Sequence, residues 1–97
     1  MKGKKSHLDI VSLYKTYDNK QRMFGEVIED DRFPKGHLLC TSPIKSVDND
    51  KKVVITETGT EYTYEKMIDI NEFLKYANDN FTPERVEIIN HYVSTGY

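Results

Sequence analysis

The chain has 97 residues, of which 37% are hydrophobic and 31% charged, and a formal net charge of −2. That length suits one domain with its own core and excludes two; the β-branched and aromatic content excludes a disordered chain, and no apolar run approaches the roughly 20 residues of a membrane span. The small net charge conceals a division, because residues 1–22 carry six Lys/Arg against two Asp while residues 23–97 carry eight Lys/Arg against fourteen Asp/Glu.

Met1–Ser6 reads as a flexible basic lead-in, since it has no apolar periodicity. From Leu8 to Tyr17 the even positions Leu8, Ile10 and Tyr14 share a strand face, although Leu8, Val11 and Tyr14 also fit a helical stripe; the β-branched content favours a strand. Asp18–Gln21 is a turn, and Arg22–Glu29 alternates as the second arm of a hairpin. After a loop containing Glu29-Asp30-Asp31 and Pro34-Lys35-Gly36, His37–Val47 reads as a third strand, with Leu39, Thr41 and Val47 inward. Pro43 interrupts it, which demands a sheet edge or a bend at Ser42-Pro43. Asp48–Lys51 is a turn before a strand at Lys52–Glu57, and Thr58-Gly59-Thr60 precedes a short fifth strand at Glu61–Tyr64.

The last third changes period. Asp69 and Thr82 are N-cap candidates, and each is flanked by a hydrophobic staple, Ile68 with Phe73 and Phe81 with Val86. Pro83 follows Thr82 at the first helical position. Helices are expected over about Ile70–Ala77, burying Phe73, Leu74 and Ala77, and over about Pro83–Val93, burying Val86, Ile89, Tyr92 and Val93 and stopping near Gly96. The expected fold is α+β: a small antiparallel sheet or part-barrel of four to five strands followed by a C-terminal helical hairpin. It forms a single domain over residues 1–97, β-rich through 8–64 and helical through 69–93.

Few residues suggest chemistry. Cys40 is the only cysteine, which points to a reducing, cytoplasmic setting, and no apolar segment of signal-peptide length follows the basic start. His37 lies three positions from Cys40, but on a strand those side chains diverge. A zinc site would need all four Cys and His of the chain, Cys40, His7, His37 and His91, which are scattered in sequence. The clusters Glu29-Asp30-Asp31 and Asp48-Asn49-Asp50 lack the ligand spacing of a calcium loop and read as solvated turns. No cofactor is expected. A helix-turn-helix over Asp69–Tyr92 would present Glu84 and Glu87 to DNA against only Arg85, the wrong charge for a phosphate backbone.

The acidic run is the remaining clue. Glu57, Glu61, Glu65, Asp69, Glu72, Asp79, Glu84 and Glu87 recur every three to seven residues, and a surface of that kind can occupy a Lys/Arg-lined groove built for nucleic acid. Glu57, Glu61, Glu65, Asp69 and Glu72 are the expected charges of a partner-binding surface, with Tyr62 and Tyr64 as aromatic anchors. Two rivals are a nucleic-acid or regulatory module using Lys2, Lys4, Lys5, Lys15, Lys20 and Arg22, and a small enzyme using Cys40 or Glu29, Asp30 and Asp31.

Cys40-Thr41-Ser42-Pro43-Ile44, then Val47-Asp48, then Val53–Tyr62 with Thr56, Gly59 and Tyr62 in a T-x-x-G-x-x-Y arrangement, resembles a pattern in small proteins of phages and mobile elements. The group includes anti-CRISPR and other anti-defence inhibitors. The resemblance spans about a quarter of the chain and carries over no catalytic residue. It implies a small accessory protein of a phage-like genome; taken with the acidic run, the expectation is a non-enzymatic inhibitor or adaptor that binds a basic or nucleic-acid-handling host protein, in its sharpest form as a DNA mimic, with neither a membrane nor nucleic acid as the expected partner.

Overall fold

Six strands and two helices follow one another along the chain: β1 Lys5–Lys15, β2 Gln21–Asp30, β3 Leu38–Cys40, β4 Ile44–Asp48, β5 Val53–Thr56, β6 Glu61–Met67, α1 Ile70–Asn80 and α2 Pro83–Thr95. The computed structural model describes residues 5–96. The strands form one sheet in the order β3-β2-β1-β6-β5-β4, in which every neighbouring pair is antiparallel except β1 and β6, which run parallel. The α+β arrangement with two C-terminal helices is as expected, but the sheet has six strands and is mixed.

The extra strand comes from His37–Val47, which is not one element. Leu38–Cys40 pairs with β2 at one edge of the sheet and Ile44–Asp48 pairs with β5 at the other, so the chain crosses between edges through Thr41-Ser42-Pro43. Six strands laid flat would separate those edges by about 24 Å, whereas the steps from Cys40 to Ile44 reach at most about 14 Å. The sheet therefore curls until its edges approach. Thr41 fastens the crossing to β2: its amide donates to Met23 O at 2.9 Å and its hydroxyl accepts from Met23 N at 3.1 Å. Pro43 O then accepts from Glu57 N at 2.8 Å, and proline leaves no amide of its own unpaired at the bend.

Curling divides the core in two. Inside the curl, all six strands contribute to a cluster with Leu8, Val11, Met23, Val27, Leu39, Val54, Tyr62 and Tyr64 at its centre. Outside, Phe73 and Ala77 of α1 and Ile89 of α2 pack on Tyr14 and Phe24, with Leu38 and Cys40 beside them. β1 and β2 are thus buried on both faces. β1 manages this through a bulge: Leu8 faces Val27 and Val11 faces Gly25, so Asp9 and Ile10 together oppose Glu26. The slip places Leu8, Val11 and Leu13 inside and Ile10 and Tyr14 outside, which accounts for a segment matching both strand and helix periods.

Other boundaries shift modestly. β1 starts at Lys5 and holds Ser6 buried, so the lead-in predicted over Met1–Ser6 is too long; its first four residues lie outside those described. β1 stops at Lys15 because Thr16 already begins the turn, its amide donating to Lys20 O. β6 runs three residues beyond Tyr64 because β1 pairs with it as far as Met67. Both caps form as expected: the Asp69 carboxylate accepts from Asn71 N at 2.9 Å, and the Thr82 hydroxyl accepts from Arg85 N. Gly96 ends α2 in the left-handed region, φ 76°, and its carbonyl accepts from Tyr17 N at 2.8 Å, tying the helix to the β1–β2 turn.

Gly25 is a tight point of β2 against the inner cluster. A Cβ there would sit 2.8 Å from Leu8 Cδ1 and 2.9 Å from Val11 Cγ1, both on fully buried side chains. Gly25→Ala therefore destabilises the fold by about 1–3 kcal/mol, read as a lower urea midpoint at unchanged slope.

Candidate acidic site at the start of the sheet

The parallel pairing of β1 with β6 brings together residues far apart in sequence. His7 of β1 lies opposite Glu29 of β2 on one side and Thr63 of β6 on the other, while Lys5 lies opposite Glu61. Because Tyr62 and Tyr64 turn inward, Glu61, Thr63 and Glu65 turn outward beside His7. The imidazole joins this row: Nδ1 is 2.7 Å from Thr63 Oγ1 and Nε2 is 2.5 Å from Glu65 Oε2. Beside it opens a cleft of about 340 Å³ lined by Ser6, His7, Glu29, Asp30, Asp31, Glu61 and Thr63.

The acids of this cleft are not alike. The Asp30 side chain is only 1% exposed; it accepts from the Ser6 hydroxyl, from Arg32 N at 2.6 Å, and from Arg32 Nη2 at 3.0 Å. Burial acts to raise this carboxyl, but the Arg32 and Ser6 hydrogen bonds outweigh it and hold Asp30 well below the usual carboxylate range. Arg32 also donates to Tyr62 Oη at 3.4 Å and lies over the Phe33 ring, so Asp30 and Arg32 form a structural pair closing this end of the sheet. Glu29, Asp31 and Glu61 have no ion-pair partner among the described side chains. They surround the cleft, and no three His, Cys, Asp or Glu side chains among the described residues converge closely enough to hold a metal ion.

The expected partner-binding residues fall into three places. Glu61 and Glu65 stand together on the outer sheet face. Glu57 lies beyond the Thr58–Thr60 turn and pairs with Lys20 Nζ at 3.0 Å. Asp69 caps α1 and Glu72 occupies its exposed first turn. Tyr62 and Tyr64 are each 4% exposed, so they act as core residues; the Tyr64 hydroxyl donates to Asn49 Oδ1 at 3.0 Å. The sequence offers Thr63 no site role, His7 only as one of four scattered Cys and His, and Glu29 and Asp31 as a solvated turn or the cluster of a rival enzyme. Each depends on the β1–β6 pairing, which leaves no local signal.

Among the described residues the rival arrangements are dispersed, and Lys2 and Lys4 of the basic set lie outside those described. Lys5 and Lys15 mark opposite ends of β1, about 33 Å apart along the strand; Lys20 is engaged with Glu57, and Arg22 Nη1 donates to Thr41 O at 3.3 Å. The Cys40 thiol is half-buried, 3.2 Å from the Tyr14 hydroxyl, and burial pushes it up, away from thiolate chemistry at neutral pH. His37 stacks instead on Phe33, with ring centroids 4.6 Å apart. Thr63, His7 and Glu65 do form a hydroxyl–imidazole–carboxylate sequence, but Glu29, Asp31 and Glu61 nearby would oppose the oxyanion that acyl transfer develops. Comparison with protein-family models, curated proteins and solved structures finds no match to this chain.

The depressed Asp30 carboxyl makes a pH prediction. Its stabilisation is complete above the unfolded value of about 3.9 and is lost as pH falls through the lower folded value. Asp30→Asn lowers stability at neutral pH by about 1.5–3 kcal/mol and flattens the acid limb of the stability profile measured by denaturation from pH 7 downward.

Proposed function

We propose that this chain is a non-enzymatic binding protein, an inhibitor or adaptor that presents the acidic cleft and the adjoining Glu65 to a cationic surface of a partner protein. The observation that carries the reading is the gathering of Glu29, Asp31 and Glu61 around one cleft with no ion-pair partner among the described side chains. Like charges held together raise the local potential, and a Lys- or Arg-lined groove relieves it while they supply the negative charge that phosphates would otherwise bring. The resemblance over Cys40–Tyr62 to phage and mobile-element accessory proteins makes a nucleic-acid-binding host complex the natural target class, with an anti-CRISPR-type DNA mimic as its sharpest form.

This reading moves the expected surface. Glu61 and Glu65 remain in it, Glu29 and Asp31 join it, and Glu57, Asp69, Glu72 and the two buried tyrosines leave its centre. Binding of this kind is steered by charge and weakens with salt. Glu29→Lys, Asp31→Lys and Glu61→Lys together lower affinity for a captured basic partner by at least about tenfold, near 1.4 kcal/mol, and flatten its salt dependence in titrations at low and high ionic strength. Glu57→Lys with Glu72→Lys changes affinity much less. Unchanged binding and salt slope in the triple variant would rule out the acidic-surface reading.

A further inference from the structure

We propose that the outer side of α2 is a contact between two copies of this chain, paired antiparallel about a twofold axis near Ile88 and His91. Ile89 is fully buried against the sheet, with Val86 and Val93 partly buried in the same cluster. Ile88, about 100° further round the helix, is 48% exposed. The apolar residues of α2 therefore cover more than the face that the sheet can bury, which is the pattern of a helix covered on a second side.

Beside Ile88 lies a groove of about 480 Å³ lined by Glu87, Ile88, His91 and Tyr92. These residues form two i, i+4 rows, Glu87 with His91 and Ile88 with Tyr92, and the groove between such rows is where a ridge of a facing helix seats. The hydrogen-bonding groups point to a second copy as the occupant: the Glu87 carboxylate accepts and the His91 imidazole donates. An acid lies one turn before an imidazole, so an antiparallel copy sets Glu87 against His91 of the second copy, and the twofold axis repeats the contact in reverse. The same operation puts Ile88 of each copy into the groove of the other and opposes the two helix dipoles. At 13 residues α2 is about 20 Å long, so the contact is small and the association is weak and concentration-dependent.

Sedimentation equilibrium over a dilution series tests this on the full chain. The weight-average mass rises with concentration from 11.4 kDa toward twice that value, and amide resonances of residues 87–92 shift along the same isotherm. Ile88→Asp, at an exposed position, retains the native circular dichroism spectrum and raises the dimer dissociation constant at least about tenfold. Glu87→Lys weakens the dimer, and adding His91→Glu restores it, a reciprocal response that a hydrophobic patch alone would not give. A chain that stays at 11.4 kDa to its solubility limit, or a dimer indifferent to Ile88→Asp, overturns the proposal.

Discussion

Three residues, Thr41-Ser42-Pro43, carry the chain from one edge of a six-stranded sheet to the other, and the curvature of the sheet is the consequence. A flat sheet with β3 and β4 at its two edges could not be joined by so short a bridge. Curling provides an interior that side chains from all six strands fill, and it leaves the convex side of β3, β2 and β1 for the helices. Two thin cores replace one thick one, a workable solution for a chain with only 37% hydrophobic residues. The strands shared by both cores bear the strictest demands, and Gly25 and the β1 bulge sit on them: the bulge lets β1 serve both faces, and the absent side chain at Gly25 leaves room for Leu8 and Val11 of the inner cluster.

Local signals were legible where their causes were local. Asp69 and Thr82 with their staples announced both helix starts, since capping uses only residues within one turn. The Asp48–Lys51 turn was equally plain, and the Asp48 carboxylate accepts from the amides of Asp50 and Lys51 at 3.1 Å each. Pro43 correctly marked a break, but a break within one strand and a passage between opposite sheet edges have the same local sequence. The double periodicity of Leu8–Tyr14 was a true reading of a bulged strand buried on both faces, a geometry that neither simple period describes.

The site was legible only in fragments for the same reason. Glu61 and Glu65 could be placed on one strand face from their spacing. Their neighbours Glu29, Asp31 and His7 could not be placed beside them, because β1 meets β6 across 56 residues in parallel register and only long-range packing specifies that pairing. Tyr62 and Tyr64 were misread as surface anchors since alternation identifies two faces without saying which one is inside. The curl decides it, and the curl depends on the bridge at Thr41–Pro43.

The charge of residues 23–97 also changes meaning once the fold is known. Many of its acids already have work within the molecule: Asp30 holds Arg32 and Ser6, Glu57 holds Lys20, Asp48 and Asp69 accept from backbone amides, and Glu26 accepts from the Tyr76 hydroxyl. Each such group contributes little field at a distance, because its charge is met by a nearby donor or cation. What a partner encounters is the charge left over among the described residues: part of it is spread over the helices at Glu72, Asp79, Glu84 and Glu87, and part of it, Glu29, Asp31 and Glu61, gathers around one cleft where β2 ends and β6 begins. A count along the sequence spreads negative charge over residues 23–97, whereas the topology brings three of those acids, Glu29, Asp31 and Glu61, around one cleft.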